Sequence, residues 1–315
     1  MNRSAIISDK QLGDVTLLEP LTRLLSAKSG LPTALFVNES FRPLVELMPH
    51  SVWGPDLKER FQESWTTSWS SRAVKRTLHV KSQRKNLLAN QKKHVRWWYH
   101  LIFKTIQVDP ILEEYWGHYF WRALGGNADE FESSQLNLPP EEWRHPDLPH
   151  EPYILINPTA AWPSKFWLSE SWAKIINTSF NQNHMPWVMT GGGTESEKKH
   201  CEEIVQLSQR PIVSLAGRTS LQQYLYAISR ANLVLCVDGS ASHLAQAFKV
   251  PTLTLFGPVY EVKWHWPTSK HRVVSAYRLT NVRPVTSAFI STQAMINEIN
   301  SMISDHPEIL SLFKK

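Results

Sequence analysis

Short apolar runs alternate with helix-like segments throughout the second half of the chain. Each run ends at a polar or glycine-containing turn, and apolar residues at helical spacing follow it. The runs occupy 153–157, 187–190, 212–215, 232–237 and 252–256, and the helices between them begin near residues 169, 195, 220 and 241. Continuous apolar strands that alternate with helices are typical of a parallel sheet covered on both faces. We therefore predict a doubly wound α/β domain in this half.

The chain begins with a similar pattern. Residues 4–8 and 33–37 are strand-like, and the segment 15–30 between them has apolar residues at helical spacing and a glycine at its end. This pattern predicts a βαβ unit. Asp14 would then lie near the carboxyl end of the first strand, where open parallel sheets bind ligands.

The middle of the chain gives a weaker signal. Helices are predicted over 84–106 and 109–124, and the order of any strands in 53–138 is not predicted. The proline-rich stretch 138–152 is typical of a linker. We therefore predict two domains, residues 1–148 and 149–315, with a C-terminal helix that can return to pack on the first domain.

Composition narrows the class of protein. A length of 315 residues and a hydrophobic content of 42% allow two ordinary globular cores. No apolar run approaches the roughly 18–20 residues of a membrane span, and the N-terminus does not resemble a secretory signal. The two cysteines form neither a disulfide framework nor a metal-binding pattern, and no Asp-x-Asp metal motif occurs. We expect a reduced, cytoplasmic enzyme with no metal or other cofactor.

The net charge of +6 comes from one segment, which we call the basic segment, residues 64–108. It contains ten Lys or Arg residues and no Asp or Glu: Arg72, Lys75, Arg76, Lys81, Arg84, Lys85, Lys92, Lys93, Arg96 and Lys104. Such a field attracts polyanions or an anionic membrane surface. The run Trp97–Trp98–Tyr99 follows most of these charges, as at an interfacial patch. A solvated face and a nucleic-acid site are alternatives, although no known nucleic-acid-binding motif accompanies the charge.

The turn DGSASH, residues 238–243, contains more polar and titratable side chains than a simple connection requires. It lies between a buried strand and a helix, where backbone N–H groups and the helix dipole favour anions. Gly239 would allow close approach of a ligand, and Ser240 and Ser242 add hydroxyl donors. His243 would donate to a phosphate, whereas Asp238 suits a helix cap or sugar hydroxyls. A capped turn with a packed histidine is the structural alternative.

Two further loops follow strands of the same predicted sheet. In 156–167, Lys165 is the only cation and could neutralise a diphosphate, and Thr159 and Ser164 flank it. In 190–198, Gly191 and Gly192 form a tight turn, and Glu195 and Glu197 could accept hydrogen bonds from ribose or sugar hydroxyls. The candidates for donor binding are thus Thr159, Ser164, Gly191, Gly192, Glu195, Glu197, Thr219, Asp238, Gly239, Ser240 and His243. A solvated lysine and acidic residues at a helix start are the structural alternatives.

Three of these motifs together resemble glycosyltransferase family 9, the lipopolysaccharide heptosyltransferases. They are GDVTLLEP (13–20), PTAAWPSKFWLSESW (158–172) and DGSASHLAQAFKVPTLTLFGP (238–258), in family order and spacing. The family has a hydroxyl residue and then glycine after the aspartate, whereas here Gly239 precedes Ser240. The middle segment 53–138 carries no clear resemblance.

The resemblance implies a GT-B architecture, in which two Rossmann-like domains face a central cleft. It implies inverting transfer of a sugar, typically heptose from ADP-heptose, onto an inner-core acceptor of lipopolysaccharide. Asp14 would be the base for the acceptor hydroxyl, and Lys165 would stabilise the departing diphosphate. Arg84, Lys85, Lys92 and Lys93 would bind the anionic acceptor at the cytoplasmic face of the inner membrane. An N-cap role is the structural alternative for Asp14.

Other functions remain open from the sequence. The exchange of hydroxyl and glycine after Asp238 leaves room for another nucleotide-sugar donor. A degenerate GT-B protein that binds an anionic glycolipid or a nucleotide without catalysis is a second class. A nucleic-acid-binding protein is a third, and its affinity would fall steeply with salt.

Overall fold

The computed structural model describes residues 3–89, 95–108, 114–178, 185–280 and 286–311. The chain divides into two compact units, Met1–Asn137 and Leu138–Lys315. Each unit contains a six-stranded parallel sheet with helices between its strands. The predicted α/β class with two Rossmann-like sheets is confirmed.

The first unit contains strands β1–β6 and helices α1–α5. Its strands are β1 (Ser4–Ile7), β2 (Thr33–Phe36), β3 (Ser51–Trp53), β4 (Phe61–Thr66), β5 (Ser82–Ala89) and β6 (Thr105–Val108). Its helices are α1 (Leu12–Thr16), α2 (Glu19–Ser29), α3 (Arg42–Leu47), α4 (Ser71–His79) and α5 (Trp116–Ala123).

The second unit contains strands β7–β12 and helices α6–α11. Its strands are β7 (Ile154–Asn157), β8 (Trp187–Met189), β9 (Ile212–Ser214), β10 (Leu233–Val237), β11 (Thr252–Phe256) and β12 (His271–Ser275). Its helices are α6 (Ser169–Asn177), α7 (Glu195–Leu207), α8 (Leu221–Arg230), α9 (Ser240–Ala247), α10 (Ala276–Thr280) and α11 (Thr292–Asp305).

The two sheets have the same strand order. The order is β3-β2-β1-β4-β5-β6 in the first sheet and β9-β8-β7-β10-β11-β12 in the second. In each, the first strand lies beside the fourth, with successive strands added outward on either side. This position is the topological switch point, where loops diverge and leave a crevice at the carboxyl ends of the strands.

The core of the second unit lies on its apolar strands. Every residue of β10 and β11 is buried, including the polar Cys236 and Thr254, which contact each other through their side chains at 3.6 Å. Trp167, Trp172 and Trp187 are among the largest fully buried side chains. Burial of each large apolar side chain contributes about 1.5–3 kcal/mol, so this sheet is a rigid base for its loops.

The predicted helix 15–30 is two helices. Helix α1 ends at Thr16, and α2 begins at Glu19 with Pro20 in its first turn. A proline has no N–H for the carbonyl one turn earlier and its ring clashes there, so one continuous helix cannot run through residue 20. Gly30 ends α2 with a φ of 69°, as its position after the apolar pattern predicted.

The prediction of a helix over 84–106 is wrong. Residues 82–89 form β5, which pairs with β4 on one side and β6 on the other. Backbone pairing on both edges and burial of Leu87 and Leu88 outweigh the helical propensity of this lysine- and leucine-containing segment. A 3₁₀ turn covers Trp97–Leu101, and α5 covers the end of the other predicted helix, 109–124, of which residues 109–113 lie outside the described residues.

The proline-rich stretch 138–152 packs with the second unit. Tyr226 in α8 donates a 2.5 Å hydrogen bond to Glu141, and Arg218 forms an ion pair with Asp147. The compact units therefore divide after Asn137, eleven residues before the boundary predicted at 148. Helix α11 packs on α6 and β12 of its own unit. In the described part of the chain, no helix is long and apolar enough to cross a membrane.

A close approach at the end of β11 gives a stability prediction. A Cβ on Gly257 would lie 2.5 Å from the backbone nitrogen of Ser287, whereas a Cβ on Gly193 would meet nothing within 4 Å. Gly257→Ala should therefore lower the free energy of unfolding by about 1–3 kcal/mol through overpacking. The measurement is the denaturant midpoint of unfolding. Gly193→Ala is the matched control and should be neutral or slightly stabilising; equal midpoints for the two variants would contradict the prediction.

Candidate active site

The predicted donor-binding loops meet at the switch point of the second sheet. β7 lies between β10 and β8, so the loops that follow these three strands are neighbours at the carboxyl edge. They contain Lys165, Asp238 and the Gly191–Gly193 run, which are far apart in sequence. The parallel pairing of the strands is what brings them together.

An ion pair between Lys165 and Asp238 joins two of these loops. The Lys165 Nζ lies 2.6 Å from the Asp238 Oδ2, and their side chains are 16% and 5% exposed. Burial raises the pKa of Asp238, while the Lys165 ammonium opposes that shift. Asp238 is not the cap of the helix that follows, because Gly239 occupies the N-cap position and no side chain caps it. The predicted capping role is thus replaced by charge pairing.

Two contacts hold Lys165 in place. Its ammonium lies 4.9 Å from the centre of the Trp162 ring, a cation–π distance. Its backbone carbonyl accepts a 2.9 Å hydrogen bond from the buried hydroxyl of Ser287. Nearby, the Trp167 indole donates to the Ile290 carbonyl at 2.8 Å. The indole of Trp162 therefore contacts the ammonium, and the segment that follows α10 holds the backbone of Lys165.

The beginning of α9 presents donors beside this pair. The Ser240 hydroxyl lies 3.3 Å from the Tyr224 hydroxyl, whereas Ser242 donates to the Gly239 carbonyl at 2.8 Å. A Cβ at Gly239 would make ordinary contacts of 3.5 Å or more, so the fold does not itself require glycine there. Without a side chain, glycine allows a ligand to approach the N-terminus of α9 closely, where backbone N–H groups and the dipole favour an anion.

His243 is a neutral residue of this site. It is buried in α9, and burial together with the nearby Lys165 charge lowers its pKa to about 4. At neutral pH it can donate one N–H hydrogen bond but adds no positive charge. Lys165 is consequently the cation of this switch point among the described residues, and it alone offsets the Asp238 carboxylate.

The glycine-containing loop after β8 is built around a helix cap. Thr194 and Glu197 form a capping box at the start of α7, with the Thr194 hydroxyl donating to the Glu197 Oε2 at 2.6 Å. A Cβ on Gly192 would lie 2.2 Å from the Glu197 carboxylate, so a larger residue there would displace this side chain from the capping box. The buried Thr159 accepts a hydrogen bond of 3.4 Å from the Gly192 N–H and so ties this loop to the loop after β7.

The remaining donor candidates are more loosely placed. Gly191 packs near Thr159, since a Cβ there would be 3.1 Å from its hydroxyl. Ser164, in the loop after β7, and Glu195, the first residue of α7, are both exposed. Thr219 is half-buried and directly precedes Ser220, which is the actual N-cap of α8.

Asp14 lies at the carboxyl edge of the first sheet, as predicted. It is the third residue of α1 and half-buried, and Gln11 occupies the N-cap position. The alternative interpretation of Asp14 as an N-cap is therefore wrong. Six residues lie between it and the end of β1.

The predicted acceptor residues lie elsewhere in the first unit. Arg84 and Lys85 are in the first half of β5, opposite Glu63 and Ser64 of β4. They lie five and four residues before Ala89, the last residue of β5. Since a strand rises about 3.3 Å per residue, both lie toward the amino edge of the sheet. Lys92 and Lys93 lie outside the described residues.

The sequence analysis missed several side chains at these two edges. Trp162 carried a usable signal, because it lies three residues before Lys165 in the same loop. Tyr224 had no signal in the sequence, since only the packing of α8 against α9 brings it to Ser240. In the first unit, the Lys10 ammonium lies 4.5 Å from the centre of the Trp69 ring at the ends of β1 and β4.

Comparison with known proteins identifies the family. The model of glycosyltransferase family 9 (heptosyltransferase) matches residues 56–286, more than half of the chain. The chain belongs to this family, as the three motifs predicted. The match also includes the middle segment, in which no motif was recognised.

Individual relatives agree with this assignment. Lipopolysaccharide heptosyltransferase 3 of Escherichia coli (strain K12) is 32% identical over 113 residues, which are 36% of this chain and 33% of that protein. The chain thus spans about a third of the length of this curated relative. The structure of E. coli ADP-heptose lps heptosyltransferase II has a TM-score of 0.79 at 17% identity, covering 97% of this chain and 99% of that one. E. coli heptosyltransferase WaaC with ADP-2-deoxy-2-fluoro heptose has a TM-score of 0.65 at 15% identity, covering 95% and 99%. The two structures share the fold of this chain.

The buried ion pair gives a prediction about stability and pH. Lys165→Met leaves the Asp238 carboxylate buried without its partner, which should cost about 3 kcal/mol of unfolding free energy near neutral pH. The folded-state pKa of Asp238 is already raised and should rise further, so the folded state holds this proton more tightly than the unfolded state. The deficit should therefore be small in acid and grow as the pH rises through that pKa.

The measurement is the denaturant midpoint as a function of pH, from about pH 4, near the ordinary pKa of an aspartate, to about pH 8. Lys174→Met, at an exposed position of α6, is the matched control and should change little. The double variant Lys165→Met/Asp238→Asn should regain much of the loss, because it removes the unpaired charge. A pH-independent deficit with no recovery in the double variant would show that the pair does not act electrostatically.

Proposed function

We propose that this protein is an inverting glycosyltransferase that moves heptose from ADP-heptose to an inner-core acceptor of lipopolysaccharide. The observation that carries the proposal is the Lys165–Asp238 pair beside the start of α9, at the switch point of the second sheet, in a member of this family. The donor assignment is supported by two structural neighbours whose names include ADP-heptose or an ADP-linked fluoroheptose.

The second unit would bind the donor. A diphosphate beside the N-terminus of α9 would meet backbone N–H groups, the Ser240 hydroxyl and the Lys165 ammonium. The neutral His243 would contribute one further N–H. Asp238 would hold Lys165 in position and accept sugar hydroxyls, while Thr159 and the Gly191–Gly192 turn would shape the nucleotide side. Glu195 is free of the helix cap, so it suits the ribose better than Glu197, whose carboxylate is engaged by Thr194.

Asp14 in the first unit would be the base. Its carboxylate would take the proton of the acceptor hydroxyl as that oxygen forms a bond to the anomeric carbon. The bond from the anomeric carbon to the diphosphate oxygen breaks on the opposite face, so the configuration inverts and ADP leaves. The charge that develops on the departing diphosphate would be stabilised by Lys165 and by the start of α9.

The basic segment would hold the anionic acceptor at a membrane surface. Arg72, Lys75, Lys81, Arg84, Arg96 and Lys104 are exposed in the structure. Trp97 and Leu101, four residues apart in the 3₁₀ turn 97–101, are both 79% exposed. Trp98 and Tyr99 instead pack inward with the cluster around Val74 and Phe103. Exposed Trp and Leu side chains framed by cations fit peripheral contact with an anionic cytoplasmic leaflet.

A different donor and a non-catalytic role are the competing functions. Gly239 precedes Ser240, the reverse of the family order, so another nucleotide sugar is a candidate donor within the same reaction class. A protein that binds nucleotide or anionic glycolipid without turnover is the second candidate. The next experiment distinguishes both of these functions from the main proposal.

The donor is tested by thermal stabilisation with ADP, UDP, GDP and CMP at equal concentration, followed by turnover with ADP-heptose. A ligand that binds only the folded state raises the melting temperature, so ADP should give the largest shift. Asp14→Asn should keep that shift but lower kcat by about 10²–10⁴-fold, because the base is lost. A larger shift with UDP or GDP would replace the donor. A shift with ADP but no wild-type turnover on an inner-core acceptor would favour the non-catalytic role.

The role of the basic segment is tested by charge reversal at Arg84, Lys85, Lys92 and Lys93. The acceptor KM should rise several-fold and co-sedimentation with anionic vesicles should fall, while the ADP shift stays unchanged. Both effects should weaken with added salt, since exposed charges are screened over about 10 Å. An unchanged KM and unchanged sedimentation would refute the role.

The exposed side chains of Trp97 and Leu101 give a separate prediction about membrane binding. Trp97→Ser/Leu101→Ser should reduce vesicle binding even at high salt, because it removes buried apolar area rather than charge. Leu207→Ser, at an exposed position of α7 in the second unit, should leave vesicle binding as in the wild type.

A further inference from the structure

The first sheet has a switch point of its own, between β1 and β4. The loop after β1 contains Asp9 and Lys10 and leads to Asp14, and the loop after β4 contains Trp69 and Ser70. By the topological rule for parallel sheets, a ligand of this unit binds at this position. Neither the motifs nor the basic-segment analysis assigned a residue here other than Asp14.

Lys10 is held in a defined position at this edge. Its half-buried side chain places the ammonium 4.5 Å from the centre of the Trp69 ring, and its backbone N–H donates to the Ser8 hydroxyl at 3.3 Å. Trp69 is itself fixed, because it packs against the buried cluster of Val74, Leu87, Tyr99 and Phe103, and the Tyr99 hydroxyl donates to its carbonyl at 2.5 Å. A lysine packed on a fixed indole has already lost much of its rotamer freedom. Binding a ligand therefore costs less side-chain entropy than it would for a freely moving lysine.

The charges around Lys10 favour an anion. Arg76 reaches the same loop and donates to the Ser8 carbonyl at 3.2 Å. The Asp9 carboxylate accepts a hydrogen bond from Ser70, whose hydroxyl also caps α4. Within the described ranges, no carboxylate forms an ion pair with Lys10. In the described part of the chain, the ammonium is therefore not neutralised by a paired carboxylate.

The equivalent edge of the second sheet shows the contrast. There, Lys165 also lies over an indole, that of Trp162, but its charge is paired with Asp238. The two sheets have the same strand order, and each has a lysine beside a tryptophan at its switch point. Only the lysine of the first sheet lacks a built-in carboxylate in the described structure.

We propose that Lys10 binds an anionic group of the acceptor, a carboxylate or a phosphate, next to the hydroxyl that reacts. Trp69 is the positioning residue that holds the ammonium in place. Lys10 is four residues before Asp14 in the segment that joins β1 to α1, so the subsite and the base belong to one short stretch of chain. The inference rests on the proposed transferase function and specifies how its acceptor is oriented.

The test compares Lys10→Met with the wild type, using turnover with ADP-heptose and an inner-core acceptor. The acceptor KM should rise about tenfold, the loss expected for one charge-assisted hydrogen bond, while the donor KM stays unchanged. Lys10→Arg should restore most of the affinity, and Trp69→Leu should raise the acceptor KM less than Lys10→Met does, because the charge remains but is no longer held. Lys58→Met, at an exposed lysine before β4 on the opposite edge of the sheet, is the matched control and should behave as the wild type.

Modified acceptors identify the anion. The acceptor is used intact, with its carboxyl groups reduced, or with its phosphates removed. The modification that removes the bound group should raise the wild-type KM to that of Lys10→Met and leave the variant unchanged. If Lys10→Met has the wild-type acceptor KM, or if both modifications affect variant and wild type equally, the inference is wrong.

The role of Lys10 can be tested even if the protein has no transferase activity. An absence of wild-type turnover would refute the transferase proposal but would still leave acceptor binding measurable by co-sedimentation with vesicles that contain the acceptor. In that case, weaker binding by Lys10→Met than by Lys58→Met would support the anion subsite. Equal binding by the two variants would overturn it.

Discussion

The contact between the Lys165 ammonium and the Asp238 carboxylate, 2.6 Å apart and mostly shielded from water, constrains the whole second unit. Removing two charges from water is costly unless they meet in good geometry. That geometry requires β7 and β10 to be neighbours with their carboxyl ends level, and it requires Trp162 and Ser287 to hold the lysine loop. The strand order, the loop conformation and the start of α9 are thus parts of one electrostatic arrangement.

The repeated strand order gives the two units a common geometry with different chemistry. In each sheet the first and fourth strands flank the crevice, and in each a lysine lies over an indole there. The second unit adds an internal carboxylate and a helix N-terminus, where backbone N–H groups favour an anion. The first unit has Asp14 instead, and among the described residues its lysine forms no ion pair with a carboxylate. The same strand order therefore carries a different arrangement of charges in each unit.

The fold of the second unit was readable from the sequence because its strands are buried on both faces and appear as uninterrupted apolar runs. In the first unit, β5 was mistaken for part of a helix, because charged residues such as Arg84 and Lys85 occupy a strand whose identity is set by its neighbours β4 and β6. Within the site, Lys165 and Asp238 were found through their motifs, but their pairing was not. Tyr224, Lys10 and Trp69 escaped because their significance depends on contacts between separate elements, which no local pattern encodes.

The two hydrogen bonds from the segment after α10 have a consequence for how the protein is made. Ser287 supports the carbonyl of Lys165, and the Ile290 carbonyl receives the Trp167 indole N–H, so the loop after β7 is completed by residues more than 120 positions later. During synthesis, this loop lacks that support until residues 287–290 have been translated. A small molecule that stabilises the finished loop cannot assist the earlier steps of folding.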